Sequence, residues 1–275
     1  MRNAAPAVFA LFGNPVAHSL SPLMHNAALQ KMGIDATYCA CRVEDLEEAI
    51  EKIKKLPLRG VSVTIPFKTA VIPYLDEVEA SAQAIGAVNT IRHEHTGRLK
   101  GYNTDWLGMV RGLEESIEIK KKSFAILGAG GTARAAVFGI RQRGGTPVIV
   151  NRTPERGEKL AKEFGVPFYP LAQIKGIKAD CLINTTPVGM APDRERSPLA
   201  REIVGRFRWV MDCIYNPLKT QLLKDAEEAG STAINGLGMF VHQGAEQIRI
   251  WTGKEPPVEI MREVVLAKLK EDHGH

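Results

Sequence analysis

A chain of 275 residues can form two globular domains, and 44% hydrophobic with 24% charged residues excludes a disordered or fibrous protein. The formal net charge of +5 is scattered without a basic stripe or a known binding motif, so we expect no nucleic-acid partner. No apolar run approaches the roughly 18 residues of a membrane-spanning helix, so we expect a cytoplasmic protein with no membrane partner. The four cysteines form no CxxC pair and no zinc spacing, which predicts reduced thiols and no metal.

Strand-like and helix-like segments alternate in the first part of the chain, a pattern typical of α/β domains. Ser21 and Pro22 are typical of the N-cap and first residue of a helix, which Gly33 would end. Apolar residues at helical spacing between Glu44 and Leu56 indicate a helix that packs on a sheet. The predicted strands cover 8–12, 38–43, 60–65 and 87–92, and the predicted helices cover 22–32, 44–56 and 76–85.

The same alternation continues in the second part of the chain. Residues after Gly238 are predicted to be helical, with a break at Pro256 and Pro257. The predicted strands here cover 124–127, 147–151, 180–184 and 209–214, and the predicted helices cover 105–116, 131–143 and 154–164.

A glycine-rich segment follows one predicted strand and opens the next helix. Gly128-Ala-Gly-Gly-Thr-Ala133 matches the dinucleotide fingerprint Gly-x-Gly-x-x-Ala. Gly128 would permit the tight turn, and Gly130 would let backbone amides approach a pyrophosphate at the helix N-terminus. The alternative is a purely structural turn, but the strand–turn–helix context favours a dinucleotide.

The residues after the following strand indicate which dinucleotide binds. Domains that prefer NAD place an acid about 20 residues beyond the glycine-rich loop, where this chain has Asn151. Arg152, Thr153 and Arg156 follow, and two guanidinium groups with a hydroxyl have the chemistry of a phosphate pocket. Thr153 and Pro154 also suit a helix start, so a solvated helix terminus is the alternative. We expect NADP rather than NAD.

Seven motifs occur in order along nearly the whole chain. They are Gly13-Asn-Pro-x-x-His-Ser-x-Ser-Pro22, Val63-Thr-x-Pro-Phe-Lys68, Gly86-Ala-Val-Asn-Thr90, Gly101-Tyr-Asn-Thr-Asp105, Gly128-Ala-Gly-Gly131, Asn151-Arg-Thr-x-x-Arg156 and Gly236-Leu-Gly-Met239 with Gln243. Together they resemble the shikimate dehydrogenase family, whose members interconvert 3-dehydroshikimate and shikimate.

The resemblance implies an α/β protein with two α/β domains and a cleft between them. Residues 1–103 would form an N-terminal mixed-sheet domain that binds the substrate and carries catalytic residues. Residues 104–237 would form a Rossmann-type NADP-binding domain. Residues 238–275 would form C-terminal helices that pack back on the substrate domain.

The resemblance also implies the residues that hold the small-molecule substrate. Ser19 and Ser21, helped by Tyr215, would bind its carboxylate, and neutral donors beside a helix N-terminus can do so without a full countercharge. Ser21 has a competing role as a helix cap, whereas no local role is expected for Ser19. The ring hydroxyls and the ring face would contact Thr64, Asn89 and Gln243.

Lys68 and Asp105 are the expected catalytic pair. Ketone reduction requires a hydride and a proton, and a Lys68 ammonium near the carbonyl could supply the proton and stabilise the oxyanion. Asp105 could orient that ammonium and accept from a substrate hydroxyl. The local alternatives are an exposed charge at a strand end for Lys68 and a helix N-cap for Asp105.

Two other functions remain open beside this one. A quinate/shikimate dehydrogenase of broader specificity is disfavoured because no acid stands at Asn151 or Arg152. A non-catalytic NADP sensor of the same fold is disfavoured because it would need neither Lys68 nor Asp105. The oligomeric state is open, and a homodimer is one option. The expected cofactor contacts are Gly128, Ala129, Gly130, Gly131, Thr132, Asn151, Arg152, Thr153, Arg156, Cys213 and Gly236.

Overall fold

The computed structural model describes residues 6–56 and 58–273, and the chain divides into two compact units. Unit 1 contains Met1–Thr104 and Gln243–His275, and unit 2 contains Asp105–His242. Each unit has its own sheet and its own cluster of buried apolar side chains. The expected α/β class with two α/β domains is therefore confirmed.

Unit 1 is built on a six-stranded mixed sheet with the order β2-β1-β3-β5-β6-β4. Strand β1 runs parallel to β2 and β3, whereas β5 is antiparallel to β3 and β6. Phe12 of β1 pairs with Val63 of β3, so the loops that follow these two strands begin side by side. The strands are β1 (Ala7–Gly13), β2 (Ala36–Arg42), β3 (Leu58–Val63), β4 (Glu77–Val78), β5 (Thr90–His93) and β6 (Leu99–Tyr102).

Unit 2 is built on a six-stranded, fully parallel sheet with the order β12-β11-β10-β7-β8-β9. This is the strand order of the Rossmann fold, in which ligands bind beyond the carboxyl ends of the strands where the order reverses. The reversal falls between β7 and β10. The strands are β7 (Ser123–Leu127), β8 (Thr146–Asn151), β9 (Phe168–Pro170), β10 (Cys181–Asn184), β11 (Trp209–Asp212) and β12 (Thr232–Ile234).

The helices connect these strands, and α9 crosses the limit between the two units at Gln243. Among the described residues, no helix is both long and apolar enough to cross a bilayer. The helices are α1 (Ser21–Lys31), α2 (Leu46–Lys55), α3 (Ala80–Ile85), α4 (Asp105–Glu114), α5 (Gly131–Gln142), α6 (Pro154–Phe164), α7 (Arg201–Val204), α8 (Gln221–Glu228), α9 (Leu237–Thr252) and α10 (Val258–His273). Short 3-10 helices lie at Ile72–Tyr74 and Leu171–Gly176.

Helix α5 shows why the glycine-rich segment continues as a helix. Ala133, Ala136, Val137 and Ile140 recur at helical spacing, and all four are fully buried in the unit 2 core. The two alanines have short side chains, so the helix axis can approach the sheet closely. The start of α5 is thereby held against the carboxyl end of β7.

Two predicted elements of unit 1 are wrong at their boundaries. The predicted helix 76–85 is interrupted, since Glu77–Val78 pairs with β6 and α3 begins only at Ala80. The cause is Glu79, whose carboxylate accepts from the N–H of Ser81 at 2.9 Å and caps the shorter helix. The predicted strand 87–92 begins only at Thr90.

Besides β4, three short strands are absent from the sequence prediction. Strand β6 has four residues, and β9 and β12 have three each. Runs of this length contain too few positions for an alternation of apolar and polar residues to be visible. They form because a neighbouring strand already offers its backbone groups for pairing.

Candidate functional site

The turn between β7 and α5 has the geometry of a phosphate-binding loop. Gly128 has a φ of +116°, and a Cβ there would lie 2.5 Å from Thr185 Oγ1, so only glycine fits. A Cβ on Gly130 would meet no protein atom within 4 Å, so the backbone is open to a ligand on that side. No side chain caps α5 at Gly130, and its first N–H groups therefore remain for an anion. Ala129, Gly131 and Thr132 are half-buried beside this opening.

The residues at the carboxyl end of β8 form an exposed cationic surface. Arg152, Thr153 and Arg156 are all exposed, and within residues 6–56 and 58–273 neither arginine forms an ion pair. The Asn151 side chain donates to the carbonyl oxygen of Thr153 at 2.8 Å. Thr153 is the N-cap residue of α6, as the sequence suggests, but its hydroxyl makes no capping hydrogen bond. Both guanidinium groups are accordingly available to an anionic ligand.

Arg152 also lines a cavity of about 440 Å³. The other lining residues come from the segment at and after the end of β9 and from the segment before α7. Most of the lining is apolar, which suits a flat heterocycle better than a second phosphate. The apolar part of the lining includes Leu171, Ile174, Pro198 and Leu199.

Two of the expected cofactor residues have clear structural roles in unit 2. The N–H of Cys213 donates to the carbonyl oxygen of Asn184 at 3.0 Å, which joins the ends of β11 and β10. A Cβ on Gly236 would clash with the Cys213 carbonyl and lie 2.7 Å from the Ile214 carbonyl oxygen. Close packing of two backbones therefore explains glycine at position 236. Tyr215 is half-buried, and its ring stacks on Phe240 with 3.9 Å between centroids.

The start of α1 corrects the expectation for the two serines. Ser21 is the first residue of the helix and not its cap; Leu20 occupies the N-cap position without a side-chain hydrogen bond. Ser19 instead accepts from the N–H of Ser21 at 3.2 Å, so it has the local role that the sequence does not predict. The Ser19 hydroxyl donates to the Ser21 hydroxyl at 3.1 Å. Two adjacent hydroxyls at a helix N-terminus can bind the two oxygens of a carboxylate.

The loops after β1 and β3 bring further candidate residues to the same edge of unit 1. The N–H of Asn14 donates to the Ile65 carbonyl at 2.9 Å, and the N–H of Val88 donates to the Lys68 carbonyl at 2.7 Å. Lys68 and Thr64 are half-buried in the loop between these contacts. The backbone therefore brings the segments that carry Thr64, Lys68 and Asn89 together.

Asn89 is held in one orientation by its neighbours. Its Oδ1 accepts from the N–H of Thr104 at 2.7 Å and from the hydroxyl of Thr90 at 2.9 Å. Since a backbone N–H requires an acceptor, these contacts identify the oxygen and leave Nδ2 as the donor. Nδ2 lies 2.9 Å from the Thr104 hydroxyl and 3.5 Å from Oε1 of Gln243. Asn89 is 2% exposed, and one direction in which its Nδ2 points is toward Gln243.

Asp105 is the first residue of α4 and belongs to unit 2, whereas Lys68 belongs to unit 1. Its side chain is 4% exposed, which is rare for an aspartate. The N-cap role considered for Asp105 is not observed, because Asp105 is the first residue of the helix itself.

Among the described residues, no three histidine, cysteine or acidic side chains are arranged to hold a metal ion.

A buried polar network in unit 1 is missing from the sequence analysis. Gln247 is 2% exposed and donates to the Asn89 carbonyl at 3.2 Å and to the Thr90 hydroxyl at 3.0 Å. Its Oε1 accepts from the Ser62 hydroxyl at 2.8 Å and lies 3.2 Å from His25 Nε2. Gln247 follows Gln243 by one helical turn, and this spacing is the signal that could have indicated it.

His25 extends the same network toward the helix start. Its Nδ1 lies 2.8 Å from the Ser21 carbonyl oxygen, and its ring stacks on Tyr38 at 4.1 Å. Burial lowers the pKa of His25 to about 4. The neutral ring has one N–H for two facing oxygens, so it donates to Ser21 or to Gln247 but not to both.

Comparison with known proteins places the chain among enzymes. It matches a family model described as the shikimate dehydrogenase substrate binding domain over residues 11–91. It matches a second model, the shikimate 5'-dehydrogenase C-terminal domain, over residues 236–266. A relative from Geobacillus sp. (strain WCH70), named shikimate dehydrogenase (NADP(+)), is 46% identical over 274 residues, which cover 96% of this chain and 99% of the relative.

Solved structures agree with the sequence comparison over both units. A crystal structure of shikimate dehydrogenase in complex with NADP+ is 44% identical, with a TM-score of 0.91 and 98% of each chain covered. The enzyme from Thermus thermophilus, in complex with NADP(H) and shikimate, is 39% identical with a TM-score of 0.87. That match covers 95% of this chain and 99% of the other. Because likeness at this level of identity extends over nearly the whole chain, the protein belongs to the shikimate dehydrogenase family.

Proposed function

We propose that this chain catalyses the reversible NADPH-dependent reduction of 3-dehydroshikimate to shikimate. The observation that carries the proposal is the meeting of the Ser19, Thr64, Lys68 and Asn89 segments at one edge of unit 1. Unit 2 of the same chain has a Rossmann sheet with an open glycine-rich loop. A hydroxylated carboxylic acid and a dinucleotide are the ligands that these two sets of groups suit.

The cofactor is proposed to bind at the carboxyl edge of the unit 2 sheet. The pyrophosphate would lie against the backbone from Gly128 to Thr132, where α5 has no side-chain cap. The 2'-phosphate would be held by Arg152 and Arg156, with Asn151 and Thr153 beside them. The adenine base would enter the apolar cavity behind Arg152. Cys213 and Gly236 would lie near the nicotinamide end, where Gly236 acts only by lacking a side chain.

The substrate carboxylate is proposed to bind to the adjacent hydroxyls of Ser19 and Ser21, with Tyr215 as a third donor. Hydroxyl donors hold a carboxylate by hydrogen bonds without the fixed charge of an arginine. Asn89, whose orientation is imposed by Thr104 and Thr90, would offer Nδ2 to a ring hydroxyl. Thr64 and Gln243 would contact the remaining hydroxyls and the ring face.

The chemical step needs a hydride donor, which bound NADPH supplies, and a proton donor, which we assign to Lys68. The Lys68 ammonium would stabilise the oxyanion that develops on the ring ketone and then give it a proton. Asp105 would orient the ammonium and accept a hydrogen bond from a ring hydroxyl. In the reverse direction Lys68 accepts the proton from the shikimate hydroxyl.

A turnover assay tests this function. The purified chain should oxidise NADPH when 3-dehydroshikimate is added, and it should reduce NADP+ when shikimate is added. NADH and quinate, each replacing one reactant, should give much lower kcat/KM. Turnover of quinate or use of NADH at equal efficiency would favour the broader quinate/shikimate activity, and no turnover with any pair would favour the sensor.

We propose the domain limits 1–103, 104–237 and 238–275 given by the motifs. The cysteines are in the reduced thiol form, which supports a reducing, cytoplasmic location; they are Cys39, Cys41, Cys181 and Cys213. A homodimer is tested by measuring the mass of the chain in solution.

A further inference from the structure

The core of unit 1 contains a buried amide side chain that the proposed reaction does not use. Gln247 lies in α9 and is 2% exposed, although glutamine is mostly found at protein surfaces. Its hydrogen-bond partners Ser62, Asn89 and Thr90 are buried as well, and all three belong to unit 1. Without these partners the buried amide would carry the full cost of its desolvation. The hydrogen bonds therefore hold Gln247 in one position relative to its partners.

The orientation of the Gln247 amide follows from the groups around it. A carbonyl oxygen can only accept a hydrogen bond, so the amide nitrogen Nε2 faces the Asn89 carbonyl at 3.2 Å. The Ser62 hydroxyl donates to Oε1 at 2.8 Å, and the Ser62 oxygen accepts from the Tyr38 hydroxyl at 2.7 Å. The second proton on Nε2 is donated to the Thr90 hydroxyl oxygen at 3.0 Å.

These bonds hold both the main chain and the side chain of Asn89. Thr90 accepts from Gln247 and gives its single proton to Asn89 Oδ1 at 2.9 Å. The Asn89 carbonyl accepts from Gln247 and also from the N–H of Val63 at 2.8 Å. With Oδ1 held as an acceptor, Nδ2 points toward Gln243 as well as toward Thr104. Gln247 thereby supports the orientation in which Asn89 offers a donor.

The place of Gln243 beside Asn89 depends on the same bonds. Gln243 and Gln247 are one helical turn apart in α9, so they lie on the same side of the helix. Gln243 Oε1 is 3.5 Å from Asn89 Nδ2, and a contact of this length is weak. The two bonds of Gln247, at 3.0 and 3.2 Å, anchor α9 to the start of β5. A further bond between α9 and β5, from Trp251 to the Ile91 carbonyl at 3.0 Å, lies one turn beyond.

We propose that Gln247 is a positioning residue for substrate binding. It holds Asn89 and Gln243 side by side, so that their amides contact the ring hydroxyls of shikimate. Gln247 itself touches neither substrate nor cofactor. The inference rests on the proposed function, because it requires Asn89 and Gln243 to be substrate contacts. All residues through which Gln247 acts lie in unit 1.

The test is the steady-state kinetics of shikimate oxidation at saturating NADP+. Q247M keeps an unbranched side chain of similar length but removes both donors. KM for shikimate should rise about threefold to tenfold, the effect of losing about one hydrogen bond to the substrate. The kcat should change much less, because contacts to ring hydroxyls are made in the bound substrate and in the transition state alike.

A matched pair of variants at Thr90 tests the same link without altering Gln247. T90V removes the hydroxyl that joins Gln247 to Asn89, so it should raise KM for shikimate as Q247M does. T90S keeps that hydroxyl and should restore the wild-type KM. Y38F is the control, because it removes a hydroxyl of the same buried network that does not contact Asn89. It should lower the melting temperature without raising KM.

Coupling between Gln247 and Gln243 distinguishes positioning from a general loss of stability. Q243A should raise KM for shikimate, because it removes a proposed substrate contact. Since Gln247 places that contact, Q247M should raise KM by a clearly smaller factor in the Q243A background than in the wild type. Equal factors in the two backgrounds would show that Gln247 does not act through Gln243.

The outcomes separate this inference from the proposed function. A Q247M KM equal to that of the wild type, or an equal rise of KM in Q247M and Y38F, overturns the positioning role alone. If Q247M does not fold, the Thr90 pair still decides, because an equal KM in T90V and T90S contradicts the inference. A wild-type KM in Q243A removes Gln243 from the substrate contacts, and the inference with it, while the reaction stands. Failure of the wild type to turn over shikimate overturns both.

Discussion

The two units each bury a polar network beneath the proposed binding edge, and the two networks differ in charge. In unit 1, Gln247 joins Ser62 and His25 through neutral groups. In unit 2, Thr220 and its neighbours donate to the carboxylate of Asp212. Burial disfavours the charged form of both titratable groups, so it lowers the pKa of His25 to about 4 and raises that of Asp212 to about 6. One physical cause thus gives two opposite responses to pH.

The signs follow from proton linkage. The pKa of His25 is 6.5 in the unfolded chain and about 4 in the folded one. The contribution of His25 to the free energy of unfolding is therefore fully present above pH 6.5 and is lost as the pH falls through 4. The pKa of Asp212 is 3.8 in the unfolded chain and about 6 in the folded one. The contribution of Asp212 to the free energy of unfolding is therefore fully present below pH 3.8 and is lost as the pH rises through 6. Each group shifts the free energy of unfolding by about 3 kcal/mol. In the wild type the two contributions to the free energy of unfolding change with pH in opposite directions, so each masks the other in a measurement.

The largest effect is expected when His25 is replaced, because one of the two opposing contributions to stability is then removed. His25→Phe keeps an aromatic ring against Tyr38 but cannot bind a proton. Relative to the wild type, the free energy of unfolding of the variant, measured with urea, should gain about 3 kcal/mol between pH 6.5 and 4, because the loss due to His25 is removed while the other groups titrate as before. His18→Ala, at an exposed position, is the control and should follow the wild type. Parallel curves for His25→Phe and the wild type would contradict the account of unit 1.

The next effect tests whether unit 1 supplies the proton donor for the chemical step. Lys68→Ala should lower kcat by about a hundredfold or more, since it removes the proton donor and the oxyanion partner. KM for shikimate should change much less, and NADP+ affinity, measured by calorimetry, should be unchanged. Lys54→Ala, on the outer face of α2, is the matched control and should keep full turnover. A large KM effect at unchanged kcat would make Lys68 a binding residue.

The corresponding change in unit 2 should affect the cofactor only. Arg152→Ala removes a charge-assisted contact to the 2'-phosphate, so KM for NADP+ should rise about tenfold to a hundredfold. KM for shikimate and the low activity with NAD+ should hardly change. Arg143→Ala, at the far end of α5, is the control for loss of a surface charge. Equal losses with NADP+ and NAD+ would show that Arg152 does not recognise the phosphate.

The smallest effect concerns the helix start in unit 1. Ser19→Ala removes one proposed donor to the substrate carboxylate, so KM for shikimate should rise about fivefold to tenfold. The melting temperature should fall slightly as well, because Ser19 also accepts from the N–H of Ser21. Ser197→Ala, a serine of unit 2 with a similar local contact, is the control for KM. An unchanged KM for shikimate in Ser19→Ala would show that the substrate carboxylate binds elsewhere.

These residues also show how far the sequence predicts the structure. The glycine-rich turn and α6 are visible because strand, turn and helix signals are consecutive, and α6 is observed at its predicted bounds. The sequence does not predict that Ser21 is the first residue of α1, since Ser19 and Ser21 are equally good candidates for the start of a helix. Gln247 and Asp212 are not visible either, because only the tertiary structure buries them and aligns their donors.

The central claim is that one chain holds shikimate at Ser19, Ser21 and Lys68 and holds NADP at Arg152 and Arg156. A crystal structure of the ternary complex with shikimate and NADP+ tests it most directly. The account predicts the shikimate carboxylate within hydrogen-bond distance of the Ser19 and Ser21 hydroxyls and a ring hydroxyl at Lys68 Nζ. It also predicts the 2'-phosphate between Arg152 and Arg156. Shikimate bound away from Lys68, or a 2'-phosphate exposed to solvent without either arginine, would contradict it.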